Sequence, residues 1–186
     1  MRLPTKLLAG ASLSVALIGC SSVAMAVDAA APPSIILSSG HIGRYQWEAA
    51  LEAPEDQREQ QEGALCLSLS MLEPTSRYSA EGNEIAQCQK GTPFFEGLSG
   101  GTKGKPKAIL GMVFMGEAKN LKLKLRGLPM EGFRLRGLSK DKLGSISSVP
   151  LSYFVHGFAR KVCIQHAAAY DAKGSVVARL GRKPCV

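Results

Sequence analysis

Gly97-Leu98-Ser99-Gly100-Gly101 has the spacing that a nucleophilic serine uses where a strand turns sharply into a helix and leaves the hydroxyl exposed above a sheet. The chemistry would be acyl transfer, and Asp141 with His156 or His166 follows in an order that could complete a triad. The residues after Gly101 argue against it. They read Thr-Lys-Gly-Lys-Pro-Lys, and Pro106 stops a helix from opening there. A flexible, basic Gly-rich loop over Gly100–Lys107 is the expectation, and no catalytic residue is assigned. The same loop fails as a phosphate cradle, because Pro106 stands where Ser or Thr would hold a magnesium ion. His41, His156 and His166 are the three histidines; His156 lies among apolar neighbours and His166 in mid-strand, so structural roles are expected. Carboxylates abound in the first third of the chain, yet no spacing singles out a pair for glycoside cleavage.

Cysteine is the next reactive type. There are five, at positions 20, 66, 88, 163 and 185. No C-x-x-C or H-x₃-H spacing occurs, so no metal site and no cofactor are expected. Without Cys20, the four others form an even set of the kind that pairs in an oxidising compartment. Four cysteines allow three pairings. The two local loops, Cys66–Cys88 and Cys163–Cys185, are favoured, because Cys163 lies in the first arm of a C-terminal hairpin and Cys185 just beyond the second. A bridge closing a loop of this length contributes ~3 kcal/mol.

The third feature is a row of cations. In Lys119–Gly137, Leu121, Leu123 and Leu125 alternate with Lys122, Lys124 and Arg126, and beyond a Pro129–Gly132 turn Phe133 and Leu135 alternate with Arg134 and Arg136. A period of two places apolar side chains on one face of a strand and charges on the other, so this is a half-buried antiparallel hairpin. A three-residue turn would set Leu125 opposite Leu135, Lys124 opposite Arg136 and Arg126 opposite Arg134. Like charges so placed cost from a few tenths to ~1 kcal/mol per pair. Side chains splayed into solvent, or arms paired with other strands, would relieve the cost. An anionic partner would also relieve it: phospholipid headgroups, wall polymers or acidic glycans. Lys122, Lys124, Arg126, Arg134 and Arg136 are therefore the candidate anion-binding residues, within a basic surface spanning Lys103–Lys142. Nucleic acid is disfavoured, since no aromatics interleave with the charges as a stacking platform.

These residues need a scaffold, and the rest of the 186-residue chain supplies one of strands. Tyr45, Trp47, Ala49 and Leu51 alternate inward, with Trp47, the one tryptophan, as a core anchor. Ala53–Glu62 is a polar excursion, either a turn of surface helix or a hairpin loop. Leu65, Leu67, Leu69 and Met71 alternate cleanly. Glu73–Ser99 shows no sustained period. Ile109–Met115 is a short continuous apolar run, as in a strand buried on both faces. Leu151–Phe158 is a further strand, and Lys161–Tyr170 with Ser175–Leu180 forms a hairpin around Asp171–Gly174. About eight strands and no long helix predict an all-β fold, an antiparallel sandwich or small barrel. The formal net charge of +8 conceals an asymmetry. Residues 41–90 carry four basic and nine acidic residues, and residues 101–145 carry eleven basic and three acidic. Separation of this kind concerns partners rather than fold.

The N-terminus resembles an export signal. Arg2 and Lys6 precede an uncharged, mostly apolar stretch from Leu7 to Gly19, too short to span a bilayer core of ~30 Å. Leu17-Ile18-Gly19-Cys20 is similar to the lipobox of bacterial lipoproteins, which implies cleavage before Cys20 and its acylation. Ala24-Met25-Ala26 offers an alternative cleavage that would release a soluble protein beginning at Val27. The resulting scheme is a signal peptide over 1–19, a disordered, lipid-anchored tether over 20–34 and a β-sandwich domain over 35–186. Ala169–Ala178 resembles the last hairpin of small immunoglobulin-like domains on bacterial exported proteins, which implies that sandwich architecture. The expectation is an extracytoplasmic, non-enzymatic module that binds anionic envelope components. The alternatives are a secreted hydrolase with an unlocated site and a protein-binding or inhibitor domain.

Overall fold

Strand propensity and alternation are realised along nearly the whole of Ala31–Val186, which forms one compact unit. The structure, a computed structural model, describes residues 33–74, 80–91, 93–102 and 104–186. The export-like segment, both cleavage sites and Cys20 lie outside these residues, as does Lys103.

The first sheet is an antiparallel meander of β1 (Ser34–Ile42), β2 (Tyr45–Glu52), β3 (Ala64–Pro74) and β4 (Ala80–Lys90), in that order. β1 revises the expected tether boundary. Its pairing begins at Ser34 opposite Glu52, and the Pro33 carbonyl already accepts a hydrogen bond from the Ala53 N–H. Between β2 and β3 the polar excursion contains α1 (Gln57–Gln61), capped by Asp56, whose side chain accepts from the Arg58 N–H at 2.7 Å. β4 corrects the reading of Glu73–Ser99 as non-periodic. From Gly82 to Lys90 every residue is exposed, so no apolar alternation marked it. It is held by its ladder with β3, by Cys66–Cys88 directly across that ladder, and by Asn83 Nδ2 donating to the Ser99 carbonyl at 3.0 Å.

The second sheet begins with the hairpin of β5 (Phe94–Thr102) and β6 (Lys105–Met115), which replaces the expected Gly-rich loop. Gly104 takes φ +87° at its tight turn, a conformation that glycine adopts without steric cost. The chain then enters the third sheet with β7 (Asn120–Leu125) and β8 (Met130–Arg134), and returns to the second with β9 (Arg136–Leu138). α2 (Lys140–Leu143) leads to β10 (Leu151–Phe158), and β11 (Ile164–Tyr170) with β12 (Val176–Leu180) completes the third sheet. The orders are β5-β6-β10-β9 and β12-β11-β7-β8.

There are twelve strands among the described residues rather than about eight, and they make a sandwich of three layers. Leu51, Leu67, Leu69 and Trp47 of the first sheet pack with Phe94, Ile109 and Val113 of the second. The opposite face of the second sheet, through Leu110, Met112, Phe114 and Phe154, packs against Leu121, Leu123, Ala167 and Leu180 of the third. This is why Ile109–Phe114 reads as an unbroken buried run: its strand lies in the middle layer and both faces are covered. Trp47 is a core anchor, and two glycines make its space. A Cβ on Gly40 would lie 2.9 Å from the indole Cζ2, and one on Gly157 3.0 Å from Nε1.

The bridges Cys66–Cys88 and Cys163–Cys185 are the two local pairings. Such bonds belong to an oxidising, extracytoplasmic setting. Among the described residues no helix is long and apolar enough to cross a membrane.

The charge asymmetry of the sequence becomes an asymmetry of layers. On the outer face of the first sheet, Glu48 and Glu84 flank Ser70 in one row, and Glu52 stands in a nearby row across from Cys66. Burial first, and then the charges of Glu84 and Glu55, hold the Glu52 carboxyl above the ordinary carboxylate value. The folded protein thus keeps a proton that the unfolded chain has released, so stability falls as pH rises from ~4.3 to the raised folded value. Glu52→Gln removes that loss. Its melting temperature is expected to exceed that of the parent at pH 7, with the gap closing below pH 4. Equal melting at pH 7 would show that the ionised carboxylate costs the fold nothing.

Candidate anion-binding surface

The hairpin that carries the candidate cations is extended, with Leu121, Leu123 and Leu125 buried, but its register is six residues from the expected one. Leu121 faces Phe133, Lys122 faces Gly132 and Lys124 faces Met130, and the turn runs over residues 125–129 with Gly127 at φ +76°. A shift by an even number keeps every side chain on its expected face. It abolishes the like-charge pairs, because no cation of β7 lies opposite one of β8. The strand order completes the relief by placing β11 along the other edge of β7, with Ala168 beside Lys122 and His166 beside Lys124.

Leu135 is the reason the arms part. Its N–H donates to the Lys119 carbonyl at 2.8 Å and its side chain is buried in the second core, while Arg136 starts β9 in the middle sheet. The five candidates therefore do not share one face. Lys122, Lys124 and Arg134 lie on the outer face of the third sheet. Arg126 sits past the end of β7, in a basic corner with Arg182 and Lys183 beside Cys163–Cys185. Arg136 lies across from Tyr153 at the edge of the middle sheet. The wider Lys103–Lys142 surface divides as well. Lys105 and Lys107 lie with Arg44 and Tyr45, and Lys140 and Lys142 lie on α2, whose Leu143 enters the first core.

The third sheet also adds a cation that the sequence reading missed. Arg179 of β12 stands opposite Ala168, in the row that continues to Lys122. Alternation with Ala178 and Leu180 marked Arg179 as outward, but only the strand order places it beside the hairpin. The outer face thus joins Arg179, Lys122, Lys124 and Arg134 with Tyr170 and His166. Lys122 Nζ lies 5.1 Å from the Tyr170 ring centroid, and Lys124 Nζ donates to the Leu128 carbonyl at 2.7 Å. None of the four has a carboxylate partner; the ion pairs among the described residues are Arg44–Glu73, Lys90–Glu62 and Lys119–Glu117.

Arg134 also borders a slot at the crossover. With Arg136, Ser38, Val155 and His156 it lines a cavity of about 180 Å³. Phe133, Phe154 and Tyr153 complete its lining: Phe133 and Phe154 are 4.9 Å apart between centroids, and His156 meets Phe158, outside the cavity, edge-on at 4.7 Å. His156 is exposed, with its ring packed against its strand neighbours Phe154 and Phe158.

No protein-family model, no curated protein and no solved structure matches this chain. The surface is therefore read from its own chemistry. Ser99, the nucleophile-like residue, is exposed in mid-strand on β5, which continues into the β6 hairpin. The strand-to-helix elbow needed to activate it does not form. Its nearest cleft, of about 420 Å³, is lined by Asn83, Lys161, Val186 and Gly-rich backbone, with neither a histidine nor a carboxylate side chain among the described residues.

One buried acidic side chain stands apart. Glu96 lies between Phe94 and Leu98 on the inward face of β5, opposite Gly111. Its Oε1 accepts from the Gly97 N–H at 2.9 Å, and Oε2 has no partner among the described residues. An unpaired buried oxygen weakens a fold unless something else satisfies it.

Proposed function

We propose that the protein is an exported, non-enzymatic envelope module, lipid-anchored through Cys20, that docks on anionic envelope components through the outer face of its third sheet. The observation that carries this reading is the set of Arg179, Lys122, Lys124 and Arg134 on one exposed sheet face without a carboxylate partner. Cations so placed are free to neutralise a partner's charge. Near an anionic lipid surface each contributes ~1 kcal/mol, within a Debye length of the headgroups. The tether-like stretch before Ser34 and the lipobox-like Leu17–Cys20 supply the anchoring half of the proposal.

The test uses the unlipidated domain on vesicles containing phosphatidylglycerol. Binding is expected to weaken steeply with salt. Changing Lys122, Lys124, Arg134 and Arg179 together to Gln is expected to weaken it about a hundredfold, somewhat less than four independent contacts would give. Retention that ignores both salt and the four changes would remove the reading. The intact mass of the mature protein checks the anchor: acylation at Cys20 supports it, and an unmodified start at Val27 overturns it.

A further inference from the structure

We propose that the slot where β8 crosses to β9 binds a single phosphoryl group. The two arginines enter it from different sheets, because Leu135 sends Arg134 to the end of the third sheet and Arg136 to the edge of the second. On the opposite wall lies β10, and its hydrogen-bonding parity is fixed at its start. The Gly116 N–H donates to the Pro150 carbonyl at 2.8 Å, so Ser152, Phe154 and His156 direct their backbone groups at β6. Leu151 and Tyr153 direct theirs at β9, which ends at Tyr153. Val155 continues that alternation with its backbone N–H aimed at the slot side and no strand to receive it. The donors are thus two guanidinium groups, the Val155 N–H, the His156 imidazole and the Ser38 hydroxyl, and no carboxylate lines the cavity.

This arrangement favours a tetrahedral anion over a planar one. A carboxylate is satisfied by one guanidinium fork in its own plane. Donors contributed by β1, the crossover and β10 approach from several directions, as the non-coplanar oxygens of a phosphoryl group require. A cavity of about 180 Å³ holds one such group with room for bridging water or an ester substituent. The Phe133 and Phe154 rings wall the slot without adding a group that competes for the guanidinium donors. The inference deepens the proposed docking, since Arg134 belongs to both, but it concerns one group in one pocket and not the summed charge of a face.

Titration with inorganic phosphate and with glycerol phosphate at constant ionic strength, followed by amide NMR, tests it. Saturable shifts are expected to converge on Val155 and His156. Arg134→Gln with Arg136→Gln is expected to weaken binding at least tenfold, and Lys173→Gln, in the β11–β12 turn, to leave it unchanged. Shifts spread over all basic residues, or affinity that survives the double change, would overturn the proposal. Vesicles of phosphatidylglycerol that compete with glycerol phosphate identify a lipid headgroup as the source; vesicles that do not compete identify a soluble phosphate ester, and both support the slot. Vesicle binding that fails while phosphate still saturates the slot removes the docking face alone.

Discussion

Replacing Cys66, Cys88, Cys163 and Cys185 together by serine is expected to lower stability by about 6 kcal/mol, ~3 for each loop. Both bridges span 22 residues of sequence, one across the β3–β4 ladder and the other at an isolated bridge outside the strands, so their contributions should add. A loss of that size consumes much of the ~5–15 kcal/mol that holds an ordinary domain together. The two bridges differ in what they secure. Cys66–Cys88 ties down β4, which is exposed from Gly82 to Lys90 and so contributes little burial of its own. Opening it alone should release amide protection throughout β4 before the cores respond. Cys163–Cys185 pins the C-terminal tail, whose Val186 exchanges backbone hydrogen bonds with Val162, and opening it should free residues beyond Leu180 first. Urea unfolding with and without reductant, combined with hydrogen exchange, reads both effects. A total change under about 2 kcal/mol would mean that the ladders alone hold β4 and the tail.

Phe114→Ala carries the second large effect. The side chain is buried in the middle layer and faces Leu121 and Leu123 across the second core. Truncating a buried phenylalanine costs ~3–5 kcal/mol, as lost transfer energy together with the cavity left behind. At roughly 2–4 °C per kcal/mol for a domain of this size, the melting temperature should fall by about 10 °C or more. The middle layer makes this more than a local injury. β6 packs on the first sheet through Ile109 and Val113 and on the third through Leu110, Met112 and Phe114, so loosening one face disturbs the element shared by both cores. A single cooperative transition is expected to persist at the lower temperature. Two separated transitions would show instead that the cores melt independently.

How much of this was legible depended on which physical signal each residue carried. Leu65–Met71 and Leu121–Leu125 face a core on one side only, so alternation announced them, and Ile109–Phe114 was readable because both of its faces are dry. β4 was not readable, since a strand exposed throughout has no apolar period. β5 was disguised by Glu96, a charge in the middle of the inward series Phe94, Glu96, Leu98. The site was legible in residue type and face, but not in grouping. Hairpin register depended on where Leu135 departs, a long-range event that no local pattern encodes. Arg179 joined Lys122 only through the order β12-β11-β7, and Arg126 and Arg136 left the face for the same kind of reason.

The layering has an electrical consequence. The outer sheets stand roughly 20 Å apart, two sheet-packing spacings, whereas salt at physiological strength screens beyond ~8 Å. Whichever side of the molecule leads its approach to a negatively charged plane is therefore nearly all that the plane senses. A collision led by Glu48, Glu52 and Glu84 is turned back, and one led by Arg179 and Lys122 is drawn in. For a molecule docked as proposed, the carboxylates on the far side are too distant to oppose the contact. In the proposed docking, the polarity would act as a one-way latch on orientation, rejecting upside-down encounters without subtracting from the grip of correct ones.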